Sequence, residues 1–127
     1  MRRLILLTAI VLAVSLLACL WADKSVENFT LRARHLRTEA AEALAEGGVQ
    51  RAEVVMVELA SHMKRHKTML EILCDHEDLH QLKGDLIDAQ ASIEFGIEDD
   101  FYQAIYRFGE ILDHLADTHR FSLSHIL

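Results

Sequence analysis

The run Leu4–Gly48, LILLTAIVLAVSLLACLWADKSVENFTLRARHLRTEAAEALAEGG, changes character once, and that change sets the architecture. Its first part, Leu4–Ala22, holds 19 residues without a charge, preceded by Arg2-Arg3 and followed by Asp23-Lys24. As a helix rising about 1.5 Å per residue it is about 28 Å long, close to the roughly 30 Å hydrocarbon core of a bilayer. The segment therefore predicts a transmembrane helix. Trp21 at its outer end suits the headgroup layer, as expected of a signal anchor that is kept. From Val26 onward the apolar positions Val26, Phe29, Ala33, Leu36, Ala40 and Ala43 step by three and four, with Arg34, Arg37, Glu39, Glu42 and Glu46 between them. That spacing places one apolar stripe on one helix face. Gly47-Gly48 should end the helix and start a tight turn, because glycine accepts the left-handed backbone common at helix C-termini.

The rest of the chain repeats the pattern. A second stripe runs Val49, Ala52, Met56, Leu59, Met63, His66, Leu70 and Leu73, and then its phase slips. The next stripe, Leu79, Leu82, Leu86, Ala89 and Ile93, implies a kink or break between Cys74 and Asp78. Phe95–Asp100 closes this element, with Asp99 or Asp100 as the cap of the next helix. The last helix uses Phe101, Ile105, Phe108, Leu112 and Leu115 and is expected to end near His119. The apolar tail after it, Phe121, Leu123, Ile126 and Leu127, should dock back on the other helices. No segment alternates as a half-buried strand does, and the chain contains no proline and only 5 glycines. The reading is all-α: an N-terminal transmembrane helix followed by a small antiparallel helical bundle of three to four helices, one domain in size. The boundaries are 1–22 for the anchor and 23–127 for an extracytoplasmic helical domain, with the first domain helix free to continue straight out of the membrane.

Composition excludes several function classes. The formal net charge is -7, and beyond the two leading arginines 11 basic residues face 20 acidic ones, so nucleic acid is not an expected partner. Twelve carboxylates fall between Asp75 and Asp117 against Lys83 and Arg107, while Lys64-Arg65-His66-Lys67 is a short basic run. Cys74 is the single cysteine beyond the apolar segment, so the domain has no disulfide of its own and Cys74 reads as a small core side chain. Leu16-Leu17-Ala18-Cys19 resembles a bacterial lipoprotein box, with Leu17 an uncommon choice there, and lipidation at Cys19 is the alternative to a retained anchor. Simple cleavage finds a poor small-x-small match in Leu20-Trp21-Ala22. Arg2-Arg3 favour a cytoplasmic N-terminus and put the domain on the outside of the cell membrane, although Lys24, Arg32, Arg34 and Arg37 pull the other way.

The 8 histidines are the oddest feature. His62 and His66, and again His76 and His80, lie four apart and share a helix face, a spacing that can hold a transition metal. Asp75, His76 and His114 form the candidate metal set if the last helix packs against the kink. The bland reading puts His66 and His76 in polar niches on the inner face and the others on the surface. A di-iron bundle would need two Glu-x-x-His units, whereas only Glu77 to His80 matches. No nucleophile elbow or phosphate loop is present. Catalytic residues and cofactors are therefore not expected. The leading expectation is a non-enzymatic, membrane-anchored protein-interaction module, its partner another protein such as an integral membrane one. The alternative is an extracytoplasmic metal-binding or pH-sensing domain built on Asp75, His76 and His114.

The segment Leu70-Glu71-Ile72-Leu73-Cys74-Asp75-His76-Glu77-Asp78-Leu79, with His114 and the ending Ser122-Leu123-Ser124-His125-Ile126-Leu127, carries a family likeness. The chain resembles the small single-span proteins of Gram-positive bacteria grouped as domain-of-unknown-function family 4363. That family has an N-terminal anchor, about a hundred helical residues, an Asp-His, a late His and a terminal Asn-Ile-Leu. Here His125 stands where asparagine is usual, and the second helix lacks tryptophan. The resemblance implies an outward-facing helical domain with Asp75, His76 and His114 as one related cluster, and it brings no activity with it.

Overall fold

With no proline to interrupt it and no glycine before position 47, the N-terminal segment has no reason to stop being helical where the membrane-like composition stops. In the computed structural model, which describes the backbone of residues 1–126 and the side chains of residues 1–118, it does not stop. Helix α1 runs unbroken over Arg2–Ala45, 44 residues. It is followed by α2 (Val49–Arg65), α3 (Lys67–Leu73), α4 (His76–Phe95) and α5 (Glu98–Ile126), and no strand occurs among the described residues.

The two halves of α1 live in different surroundings. Side chains from Leu4 to Leu17 are exposed throughout, and the helix is long and apolar enough there to cross a membrane. From Val26 the same helix turns into a core element, and all six stripe residues, Val26, Phe29, Ala33, Leu36, Ala40 and Ala43, are buried. Its end follows the expected glycine logic: Gly47 takes φ 82°, and the Gly48 N–H donates to the Ala43 carbonyl at 2.8 Å. Only that left-handed residue lets the chain turn at once into α2.

Helix α1 packs on α2 and α5, α4 packs on α5 and α2, and α3 touches α1, α2 and α4. One apolar cluster fills the space they share, with Phe29, Phe101 and Phe108 among its largest fully buried side chains. Burying each such ring removes it from water for about 2–3 kcal/mol. The stripes of α4 (Leu79, Leu82, Leu86, Ala89, Ile93) and α5 (Phe101, Ile105, Phe108, Leu112, Leu115) are buried throughout, whereas Val49 at the start of α2 is 42 % exposed.

The expected break after Leu73 is a true interruption. Cys74 and Asp75 are both extended, and α4 starts afresh at His76. A second, milder interruption at His66 (φ -102°, ψ 12°) separates α3 from α2, and the stripe gave no sign of it. Two expectations about the last helix are corrected. Helix α5 begins at Glu98, so Asp99 and Asp100 sit inside its first turn, where their charges favour the positive end of the helix rather than cap it. The helix also runs on past His119 to Ile126, there being no glycine or proline in that stretch to stop it. Docking of the tail side chains Phe121, Leu123, Ile126 and Leu127 lies outside the described residues.

Candidate functional site

The residues singled out as Asp75, His76 and His114 are separated by the job each does locally. Asp75 precedes α4, and its carboxylate accepts from the Glu77 N–H at 3.3 Å, a cap that satisfies one of the free donors of the helix start. His76, the first residue of α4, is exposed. His114 projects from α5 to Asp78, one turn further along α4, with Nε2 to Oδ2 at 3.4 Å. Among the described residues no three His, Cys, Asp or Glu side chains converge to hold a metal ion. Cys19 lies inside the unbroken α1, partly exposed, and Cys74 is free and partly buried against the core. Burial, with the Asp78 charge adding to it, pushes the Cys74 thiol up to about 11, so it is protonated at neutral pH and a weak nucleophile.

The histidine that the fold does organise is His62, which sequence reasoning left on the surface while placing His66 and His76 on the inner face. It is 6 % exposed, whereas His76, expected on the inner face, is exposed. The reason lies across the α1–α2 contact. His62 stacks flat on the Phe29 ring, centroids 4.9 Å apart and 5° from parallel, and its Nε2–H donates to the Phe29 carbonyl at 3.1 Å. That bond fixes the proton on Nε2 in the neutral ring. His66 tilts against both rings, with centroids 4.5 Å from His62, and its Nδ1–H donates to the His62 carbonyl at 2.8 Å. Desolvation by burial holds the His62 pKa below its ordinary 6.5, against the backbone bond to Phe29 that favours the charged ring; His66, Arg65 and Arg32 add repulsion. A position flanking the stripe, one residue before Met63, was the available signal for burial.

A second buried polar group joins α4 to α5. Asp85, 6 % exposed, accepts from Arg107 Nε at 3.2 Å, while its other oxygen is buried without a partner. Arginines also line the α1–α5 contact: Arg34 meets Asp113 at 2.6 Å, and the Arg37 guanidinium lies across Gly109, where a Cβ would come within 2.8 Å of it. These contacts fix helix register. Among the described residues three open grooves mark the surface: two between α2 and α4, one of about 330 Å³ lined by Met56, Val57 and Ile93 between Glu53 and Glu94 and one of about 250 Å³ lined by Met63, Leu86 and Ile87 beside Lys64, Lys67 and Lys83, and a third of about 310 Å³ between α4 and α5, lined by Asp88, Ser92, Phe95, Gln103 and Arg107. Val57 and Ile87 are 60 % and 63 % exposed.

Compared with known proteins, the chain matches no family model, no curated protein and no solved structure.

Proposed function

We propose that the protein is a single-pass, membrane-anchored protein-interaction module whose helical domain stands outside the cytoplasm. The observation that carries this reading is α1 itself. Among the described residues nothing covers the side chains from Leu4 to Leu17, and the same helix continues without a joint into the core. Leaving so many large apolar side chains in water is unfavourable by about 25 cal/mol per Å², and a bilayer relieves it. Arg2 and Arg3 before the span support a cytoplasmic N-terminus.

Within this reading the domain is an antiparallel bundle, since the three-residue link at 46–48 and the two-residue link at 96–97 leave each helix little choice but to run back along its predecessor. A continuous helix makes the anchor and the domain one rigid piece, so the domain faces its neighbours at a fixed height and rotation. The groove between α2 and α4 and the acid-rich face of α4 and α5 are the surfaces available to a protein partner. Resemblance to domain-of-unknown-function family 4363 agrees with an outward-facing helical domain.

The test is photocrosslinking in cells, with a crosslinking residue placed at Val57 or Ile87 on the groove, or at Thr38 on the opposite side, and the mature N-terminus read by mass spectrometry of the same sample. The proposal expects one defined adduct from the groove positions, none from Thr38, and an intact N-terminus. Equal, diffuse labelling from all three positions would reject an interaction surface, and a chain beginning at acylated Cys19 would replace the spanning anchor by a lipid one.

A further inference from the structure

We infer that the base of the domain, the basic run Lys64–Lys67 with the tip of α3, rests on the surface of the membrane that α1 crosses and holds its anionic lipid headgroups. The inference rests on the membrane-anchor reading and adds a second point of contact to it.

Height along α1 places the basic run. Helix α2 runs back along α1 in a register fixed at three levels: Arg51 pairs with Glu39 at 4.0 Å, Arg32 with Glu58 at 3.8 Å, and His62 reaches the Phe29 carbonyl at 3.1 Å. Phe29 is seven residues past Ala22, the end of the uncharged stretch, and so about 10 Å above it at 1.5 Å per residue. Lys64, Arg65, His66 and Lys67 continue downward from His62, which leaves them about 5 Å above Ala22. The polar layer on each face of a bilayer is roughly 5–7 Å deep. The basic run therefore falls within it, at the same depth as Lys24 and just above Trp21.

What stands at that depth fits a lipid surface. Lys64, Arg65 and Lys67 are exposed, and among the described residues neither Lys64 nor Arg65 has a carboxylate within ion-pair distance. Arg65 bonds through Nε to the Ser61 carbonyl at 3.4 Å, and Lys67 is 3.9 Å from Glu71 on the next turn. Asp23 and Glu27 on α1 lie near the same level and oppose the cations in part. Helix α3 follows the basic run, touches α1 and buries Leu70 in the core, yet Ile72 is 74 % exposed, one of the most exposed large apolar side chains of the domain. Exposed cations next to an outward apolar side chain are the arrangement by which helices settle at a bilayer surface. The interior of the domain explains neither feature, and His66, bonded to the His62 carbonyl, stiffens the corner that presents them.

The experiment uses the full chain in vesicles. Trp21→Phe removes the single native tryptophan, and Ile72→Trp reports from the base. Phe95→Trp, at a site 75 % exposed near the far end of the domain, is the comparator. Vesicles are phosphatidylcholine alone or with about a third phosphatidylglycerol, and carry a spin label on the lipid headgroup. Flotation after alkaline carbonate reports the anchor independently. The inference expects the chain to float and the tryptophan at position 72 to be quenched at least about twofold more strongly than that at 95 in anionic vesicles, with the difference reduced in neutral ones. Replacing Lys64, Arg65 and Lys67 by Gln should weaken docking by about fivefold per cation without affecting flotation. A floating chain whose two tryptophans are quenched alike overturns the docking and leaves the anchor standing, and so does quenching indifferent to lipid charge and to the three substitutions. A chain that does not float overturns the anchor and, with it, the docking.

Discussion

His62 gives the account its sharpest stability test. The imidazole is buried, stacked on Phe29 at 4.9 Å and bonded to the Phe29 carbonyl at 3.1 Å. In His62→Ala the stack and the hydrogen bond each remove about 1 kcal/mol, and the space left by the ring removes about 1 kcal/mol more, a total of about 3 kcal/mol. Acid acts on the same contact. The folded pKa lies below the ordinary 6.5, so between the two values the unfolded chain takes up a proton that the folded chain declines, and stability falls as pH falls through that window. Each tenfold difference in proton affinity between the two states is worth about 1.4 kcal/mol. Carboxylates titrate lower, near about 4, so the upper part of the window reports histidine. The assay is urea unfolding of the detergent-solubilised chain, followed by helical ellipticity at about pH 7.5 and about pH 5.5, with His62→Phe keeping the stack and removing the titration. The wild type should lose stability on acidification and the Phe variant should lose less. An imidazole resonance assigned to His62 that titrates at or above 6.5, or identical acid sensitivity in the two proteins, would refute the burial argument.

Three further outcomes follow from the same structure. Arg107→Met strands the buried Asp85 carboxylate and should lower stability by about 2 kcal/mol, whereas Asp85→Leu leaves a half-exposed arginine to water and should fall within about 1 kcal/mol of wild type; urea midpoints of the two variants separate these cases. Gly47→Ala finds open space for its Cβ but must hold φ 82°, so it should cost about 1 kcal/mol by thermal melting, and a melting temperature equal to wild type would contradict the left-handed turn. Asp75→Ala removes the cap of α4 for about 1 kcal/mol, with or without zinc, and a zinc-dependent rise in wild-type melting temperature abolished by this variant would restore Asp75 as a ligand.

The helical stripes were readable because burial in a helix repeats with the turn: the α1, α4 and α5 positions chosen from spacing are all buried. The break after Leu73 was readable as a slip in that phase, and the structure shows it as two extended residues. Interhelical partners were not readable, since spacing along one helix is silent on what stands opposite. His62 is buried because Phe29 presents a ring and a carbonyl to it, and Asp85 because Arg107 meets it from α5. The candidate set failed to gather for a related reason. Asp75 before a helix start is needed by its own backbone, and His114 meets α4 one turn later, at Asp78. The interruption at His66 left no mark because its stripe continues in step through Leu70.

The central claim is that one uncut helix both spans the membrane and enters the core. Alkaline carbonate extraction of membranes, with intact mass measured on the pelleted protein, tests it most directly. The account predicts the chain in the pellet with residues 1–22 present and Cys19 unmodified. Chain released to the supernatant, or a pelleted form that has lost those residues or begins at an acylated Cys19, would contradict it.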